Sequence, residues 1–208
     1  INATEGQAWG AIVGQDYQFL NGQRVISATT GRYLKSADKH IIGNTTPDWV
    51  GGVRNSFNYK GISLTFLIDV RKGGDIFSTD QYYGLATGLY PETAANGVRE
   101  KGIVWPGVNP NGQTNQTNST NPSAFGSLDG YVRMPAARFV YDGGYVKLRE
   151  ASIGWTLPKS VIAGTFLTDA KISLVGRNLW IIHKNLPYAD PENIVGGNVL
   201  RGTSTGYT

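Results

Sequence analysis

Residues 62–71 constrain this chain more than any other stretch. Ile62, Leu64, Phe66, Ile68 and Val70 share one side of an alternating run, and Ser63, Thr65, Asp69 and Arg71 share the other, with Leu67 the exception. A period of two marks a β-strand with one apolar and one polar face, and such a strand needs an apolar environment on one side only. The run before it alternates as well: Val53, Phe57 and Tyr59 oppose Arg54, Ser56 and Asn58, with Asn55 out of pattern. The two halves meet at Lys60-Gly61, which predicts a tight hairpin pairing 51–59 with 62–71.

A second antiparallel pair is predicted at 144–156 and 170–182, where Ile172, Leu174 and Trp180 oppose Lys171, Ser173 and Arg177. The first of these strands, "YVKLREASIGWT", changes phase part-way. Val146 and Leu148 alternate with Lys147 and Arg149, and then Ala151, Ile153 and Trp155 alternate with Ser152 and Gly154. A one-residue change of phase predicts a β-bulge near Arg149-Glu150. Leu157-Pro158 then ends pairing, because proline cannot donate to the ladder.

Between the two pairs, 72–143 shows no sustained period, and "NPNGQTNQTNSTNP" (109–122) reads as a polar run with no core to bury. Glycine accounts for 28 of 208 residues and aromatics for 11%, a balance that favours strands and turns over helices. The chain is therefore expected to be all-β, with long loops. It contains no cysteine, which excludes disulfides and thiolate metal sites. The net charge of +4 is scattered rather than gathered on a stripe, which argues against nucleic-acid binding. No stretch approaches the roughly 20 apolar residues of a membrane helix. A membrane barrel stays open, since its strands alternate and give weak hydropathy. The chain does not begin with Met, so it is read as processed or as a piece of a longer protein.

Alternation fits two architectures. In a membrane barrel the apolar face meets lipid and the polar face the lumen. In a soluble sandwich the apolar face meets the core and the polar face water. A soluble β-sandwich carbohydrate-binding module is thus the alternative to a barrel. One asymmetry leans toward the barrel: the connections at 60–61 and 157–169 are short, whereas 72–143 is long.

Longer phrases carry a resemblance. "EGQAWGAIVGQDYQF" (5–19), "GNTTPDWVGGVRNSFNYKGISLTFLIDVRKGGDIFS" (43–78), "GIVWPGVNPNGQTNQ" (102–116), "GGYVKLREASIGWTLPKS" (143–160) and "GRNLWIIHKNLPYADPE" (176–192) resemble the C-terminal quarter of SusC/RagA-family TonB-dependent transporters, in the same order along nearly the whole chain. The resemblance implies that 1–208 is an antiparallel transmembrane segment of a 22-stranded plugged barrel. That barrel sits in the outer membrane of a Gram-negative bacterium and imports glycans or peptides. The implied partners are a SusD-like surface lipoprotein acting as a lid, the TonB complex and outer-membrane lipid. The family's plug, its TonB-contacting part, most of its barrel and its closing strand have no counterpart here, so the chain is expected to be a fragment that does not transport alone. In this frame Leu64, Phe66, Ile68, Ala151, Ile153, Ile172 and Leu174 are expected to face outward. Asp69, Arg71, Lys171 and Arg177 are expected to face the lumen or its rim. Lys60-Gly61 and 157–169 become periplasmic, and 72–143 becomes a long extracellular loop.

No catalytic constellation emerges, so an enzyme is not expected, nor is a cofactor. "GTSTG" (202–206) matches a nucleophile elbow in letters only, and a loop is the reading preferred, because an elbow needs a strand before it and a helix after it. His40 and His183 lack metal-ligand spacing. The glycine pairs Gly51-Gly52 and Gly73-Gly74 are read as bulges or turns. Exposed loops carry recognition, and the aromatics of the long loop, Tyr82, Tyr83, Tyr90, Trp105, Phe125 and Tyr131, are the residues expected to contact substrate or lid. The plainer expectation is that they pack the loop against itself.

Overall fold

The computed structural model describes residues 5–119 and 133–192, together with the backbone of 203–204. The strands, in chain order, are β1 (Ala11–Tyr17), β2 (Phe19–Leu20), β3 (Gln23–Arg24), β4 (Lys35–Asn44), β5 (Pro47–Tyr59) and β6 (Ile62–Gly73). They continue with β7 (Asp75–Ser78), β8 (Val140–Asp142), β9 (Tyr145–Thr156), β10 (Lys171–Lys184) and β11 (Thr203–Ser204). The helices are α1 (Thr79–Thr87), α2 (Val98–Lys101) and α3 (Lys159–Ile162). None of the described helices is long and apolar enough to cross a membrane, which says nothing of crossing by strands. The chain divides into two compact units, Pro47–Gly73 with Gly143–Asn185, and the residues flanking and between them.

The first unit is one antiparallel sheet in the order β10-β9-β6-β5. The β5–β6 hairpin runs in register from Tyr59↔Ile62 to Gly51↔Val70. Its turn places Lys60 at φ 46 and Gly61 at φ 82, the two successive positive values that a right-twisted two-residue hairpin requires. The predicted partnership of the other pair also forms, from Lys171↔Thr156 to Lys184↔Tyr145. The central contact, β6 against β9, joins strands separated by the whole 74–144 insert, from Ile62↔Trp155 to Arg71↔Tyr145.

The bulge lies where the phase change places it. On one side Leu67 pairs with Glu150 and Ile68 with Leu148, so Arg149 is the extra residue. On the other side Arg177 pairs with Glu150 and Trp180 with Leu148, leaving Asn178 and Leu179 opposite Arg149. Asn178 takes φ 50, a left-handed conformation that asparagine tolerates better than most residues, and its Oδ1 accepts from Arg149 Nη1 at 3.0 Å. One inserted residue brings Val146 and Leu148 back onto the same face as Ala151, Ile153 and Trp155. The sequence looks undecided because the strand is one residue longer than its neighbour.

Gly51 and Gly52 depart from expectation. They sit in regular ladder opposite Val70 and Asp69 rather than at a bulge or turn. Each leaves room instead: a Cβ at Gly52 would meet Ile68 O at 3.0 Å, and one at Gly51 would meet the Trp49 ring at 3.3 Å. Gly73 and Gly74 take the left-handed conformation, at φ 70 and 80, and Gly73 pairs with Pro47 beside the register shift at Pro47/Trp49, in keeping with the expected bulge.

The second unit was largely hidden from the alternation argument. β1 pairs antiparallel with β4, and β7 pairs with β8 from Asp75↔Asp142 to Phe77↔Val140. β11 adds in parallel to β7. The "GTSTG" run therefore contains a two-residue strand where a loop was expected; its other residues lie outside the described ones. Tyr17, Ile26, Tyr33, Leu85, Tyr90, Met134 and Phe139 form the core, with Phe77, Tyr82, Trp105 and Ala137 packed on it. The described residues of the 72–143 insert thus pack into a folded body. Ser78 caps α1, its Oγ accepting from Gln81 N at 3.2 Å, and Gly88 closes it in the left-handed conformation. Even part of the polar run is pinned: Asn115 is 4% exposed, and its amide donates to Trp105 O at 3.0 Å.

Candidate functional site

The four-stranded sheet has two chemically distinct faces, and register assigns every residue to one of them. The apolar face carries Val53, Phe57 and Tyr59 of β5, then Ile62, Leu64, Phe66, Ile68 and Val70 of β6. It continues through Val146, Leu148, Ala151, Ile153 and Trp155 of β9 to Ile172, Leu174 and Trp180 of β10. None of these side chains is packed in a core. Ile172 is 64% exposed and Leu174 74%; Phe57, Leu64 and Ile153 are exposed, and Phe66, Ile68 and Ala151 are half-buried by their strand neighbours. Phe57 and Phe66 stack with ring centroids 6.2 Å apart. All seven residues expected to point outward lie on this surface.

The opposite face is ionic. Arg54 donates to Glu150 at 3.1 Å, and Arg177 lies 3.5 Å from the same carboxylate. At the bulge, the Arg149 guanidinium donates to Asp69, which also accepts from the Tyr145 hydroxyl at 3.3 Å. Lys147, only 4% exposed, stands 4.8 Å over the Tyr145 ring. The bulge is therefore also the anchor of the polar network, because the extra residue is the arginine that reaches Asp69. Asp69, Arg71, Lys171 and Arg177 all lie on this face, as does Leu67, which explains its break in the alternation.

Both short connections leave from one end of the sheet, where Thr156 N donates to Gly61 O at 2.8 Å. Tyr59, Trp155 and Ile172 gather there, and the exposed Val161 and Phe166 follow in the 157–169 connection. The long insert leaves from the other end.

In the second unit the aromatics expected to make contacts divide. Tyr90 is 9% exposed and stacks on Tyr188, centroids 4.1 Å apart and planes within 7°. Tyr188 in turn donates to Glu92 at 2.6 Å. Burial raises the Tyr90 phenol above the ordinary tyrosine value, with the charges of Asp80 and Glu92 adding to the shift. The hydrogen bond to Glu92 raises Tyr188. Tyr82 packs edge-on to Phe139, centroids 5.0 Å apart. Tyr83 is 57% exposed. Phe125 and Tyr131 lie outside the described residues. Trp105 packs at 5.6 Å from Tyr33, and its buried indole N–H finds no acceptor among the described residues.

Trp105 also lines a cleft of about 420 Å³ with Tyr17, Arg24, Tyr33, Pro106 and Arg138 among its walls. Sequence reasoning missed Tyr17, Arg24 and Tyr33 because they lie far from the loop that completes the cleft. Among the described residues no group of three His, Cys, Asp or Glu side chains is placed to hold a metal ion.

No family model matches the chain. Two curated relatives from Formosa agariphila do: TonB-dependent receptor P3, 28% identical over 207 residues and 90% of this chain, and TonB-dependent receptor P26, 24% identical over 198 residues and 93% of it. The chain is similar to one segment of these TonB-dependent receptors. It spans 19% and 18% of the length of those two relatives. The solved RagAB peptide importer matches in fold, with a TM-score of 0.55 and 19% identity in its closed-closed state, over 90% of this chain and 21% of that one. In the open-open state the TM-score is 0.56 at 18% identity, over 87% and 19%. The antiparallel sheet thus shares its fold with part of that importer, and its apolar face lies exposed.

Proposed function

We propose that this segment supplies part of the wall and one surface domain of an active transporter that imports glycans or peptides beneath a SusD-like lipoprotein, energised by the TonB complex through another part of the receptor. The observation that carries this reading is the uncovered apolar face running across four strands. A water-soluble protein rarely exposes so large a contiguous patch, whereas lipid is its natural solvent. A strand of about 9–11 tilted residues crosses a bilayer, and β6, β9 and β10 are long enough to cross and project beyond it. Both outer strands, β5 and β10, also have one edge unpaired within the sheet, as expected where neighbouring barrel strands add.

In this topology β6 and β10 run outward and β9 inward. Lys60-Gly61 and 157–169 are periplasmic, with Tyr59, Trp155 and Phe166 at the inner interface, where amphipathic and aromatic rings are favoured. The insert between β6 and β9 is extracellular. Tyr83, exposed on α1, and Trp105, in the cleft wall, are its candidate contacts with lid or substrate. Fractionation tests the reading. Full-length receptor should pellet with the outer membrane and dissolve only in detergent. A monodisperse, detergent-free 208-residue domain would establish the soluble sandwich instead.

A further inference from the structure

The cleft of the second unit has a chemistry of its own. Arg24 ends the short strand β3, whose pairing Phe19↔Arg24 fixes its backbone, and its carbonyl accepts from Val108 N at 3.0 Å. That close approach depends on Gly107, where a Cβ would lie 2.4 Å from Arg24 O. The guanidinium carbon stands 4.1 Å over the Tyr17 ring and 5.8 Å from that of Tyr33. Tyr17 and Tyr33 meet edge to face at 5.0 Å, and the Tyr33 hydroxyl donates to Pro106 O at 3.0 Å, which holds its ring in place. An arginine laid on an aromatic face keeps its edge donors outward in a planar fork. Among the described residues no carboxylate pairs with Arg24.

We infer that this cleft binds a carboxylate-bearing ligand, the carboxylate on the edge of Arg24 and the adjoining ring or apolar group against Trp105. A single planar fork matches the two oxygens of a carboxylate. The volume is in the range of small-ligand sites. Tyr17 and Tyr33, each 6% exposed, back the arginine, and the half-buried Trp105 offers the aromatic face on which a sugar or side chain can rest. Two sources offer this chemistry: a uronate in an acidic oligosaccharide, or a carboxylate of a peptide. That the ligand is imported cargo rests on the transporter reading above; binding itself rests only on the cleft.

The test uses full-length receptor in detergent and titration calorimetry with two probe pairs. One pair is an oligogalacturonate and its carboxyl-reduced, neutral counterpart; the other is an acidic peptide and the same peptide with its carboxylates amidated. Binding of one carboxylated probe at least about tenfold tighter than its neutral counterpart is expected, the scale of one charge-assisted hydrogen-bonded contact. The pair that shows the difference identifies the source. Arg24→Gln should lower the carboxylated probe to the neutral one's affinity and leave the neutral one unchanged, with Arg24→Lys partly restoring the difference. Binding of neither carboxylated probe, equal binding within both pairs, or an unchanged difference in Arg24→Gln would overturn the inference. The wild-type comparison needs no variant and so stands even if Arg24→Gln fails to fold. Failure here with the receptor still in the outer membrane would leave the transporter reading intact, whereas a soluble protein that binds would do the reverse.

Discussion

Deleting a single residue separates the register argument from simple loss of contacts. Removing Arg149 takes out the bulged residue, so Leu148 and Glu150 become neighbours in a regular ladder with β6 and keep their faces, while Asn178 and Leu179 remain as a two-residue bulge in β10. What is lost is the pair with Asp69, in which each side chain is 27% exposed, together with the bond to Asn178. Solvent screening limits such a pair, and the cost should be about 1 kcal/mol. Removing Thr65 from β6 is different. β6 pairs along its length on both sides and has no bulge next to Thr65 to absorb the loss. One end of the strand must then turn over. The cheaper choice turns Ile62 and Leu64 to the polar face, and at roughly 1.5–3 kcal/mol for each apolar side chain the deletion costs about 3–6 kcal/mol. Urea unfolding of full-length receptor in lipid vesicles, followed by the mobility shift of folded barrels in gels, reads both variants. Equal tolerance of the two deletions, or the Arg149 deletion being the worse, would refute the assignment of faces.

Other outcomes are expected from the same geometry. Phe66→Arg should cost about 2–4 kcal/mol in vesicle unfolding if Phe66 sits at the bilayer midplane, and near-neutral insertion would count against that placement. Protease added to intact cells should cut at the 109–113 tip, where Gly112 N donates back to Asn109 O, and should spare 157–169; the converse pattern reverses the topology. The raised phenols of Tyr90 and Tyr188 set an alkaline limit. Because their folded values exceed the ordinary 10.0, their stabilisation is fully present below pH 10.0 and is lost as pH rises through the raised values. Ultraviolet titration should therefore show tyrosines ionising late, one fewer of them in Tyr188→Phe. An unchanged titration in that variant would rule out the bond to Glu92 as the cause.

The sheet was legible in the sequence because each of its strands states its own period. Hairpin, second pair and bulge all follow from the period inside single strands and the short connections between them. β1 and β4 were not legible. "KSADKHIIGN" has no alternation, and Gly14 in β1 packs so closely that a Cβ would meet Ile42 Cδ1 at 2.7 Å, a constraint that no periodicity encodes. The core of the second unit is drawn from Tyr17, Ile26, Leu85, Met134 and Phe139, one or two residues from each distant segment, so no window contains a pattern. Helix α1 did leave a signal: Ser78 and Gln81 stand at capping-box spacing and Gly88 follows at the end. The cleft left none, since Arg24 and Trp105 meet only once the chain has folded.

The pairing of β7 with β8 has a kinetic meaning. These short strands lie just inside the two ends of the insert, so once Asp75 and Asp142 are paired, β6 and β9 are tethered as if by a few residues instead of about seventy. On the logarithmic scaling of loop closure this lowers the entropy cost of joining them by about 3 kcal/mol. If the second unit folds first, it would therefore act as a clamp for the pairing of β6 with β9. Phe139→Ala, in the core of the second unit, should then slow barrel assembly as measured by the appearance of the folded gel species. An unchanged rate in a variant whose surface domain is loosened would show that the wall zips up unaided.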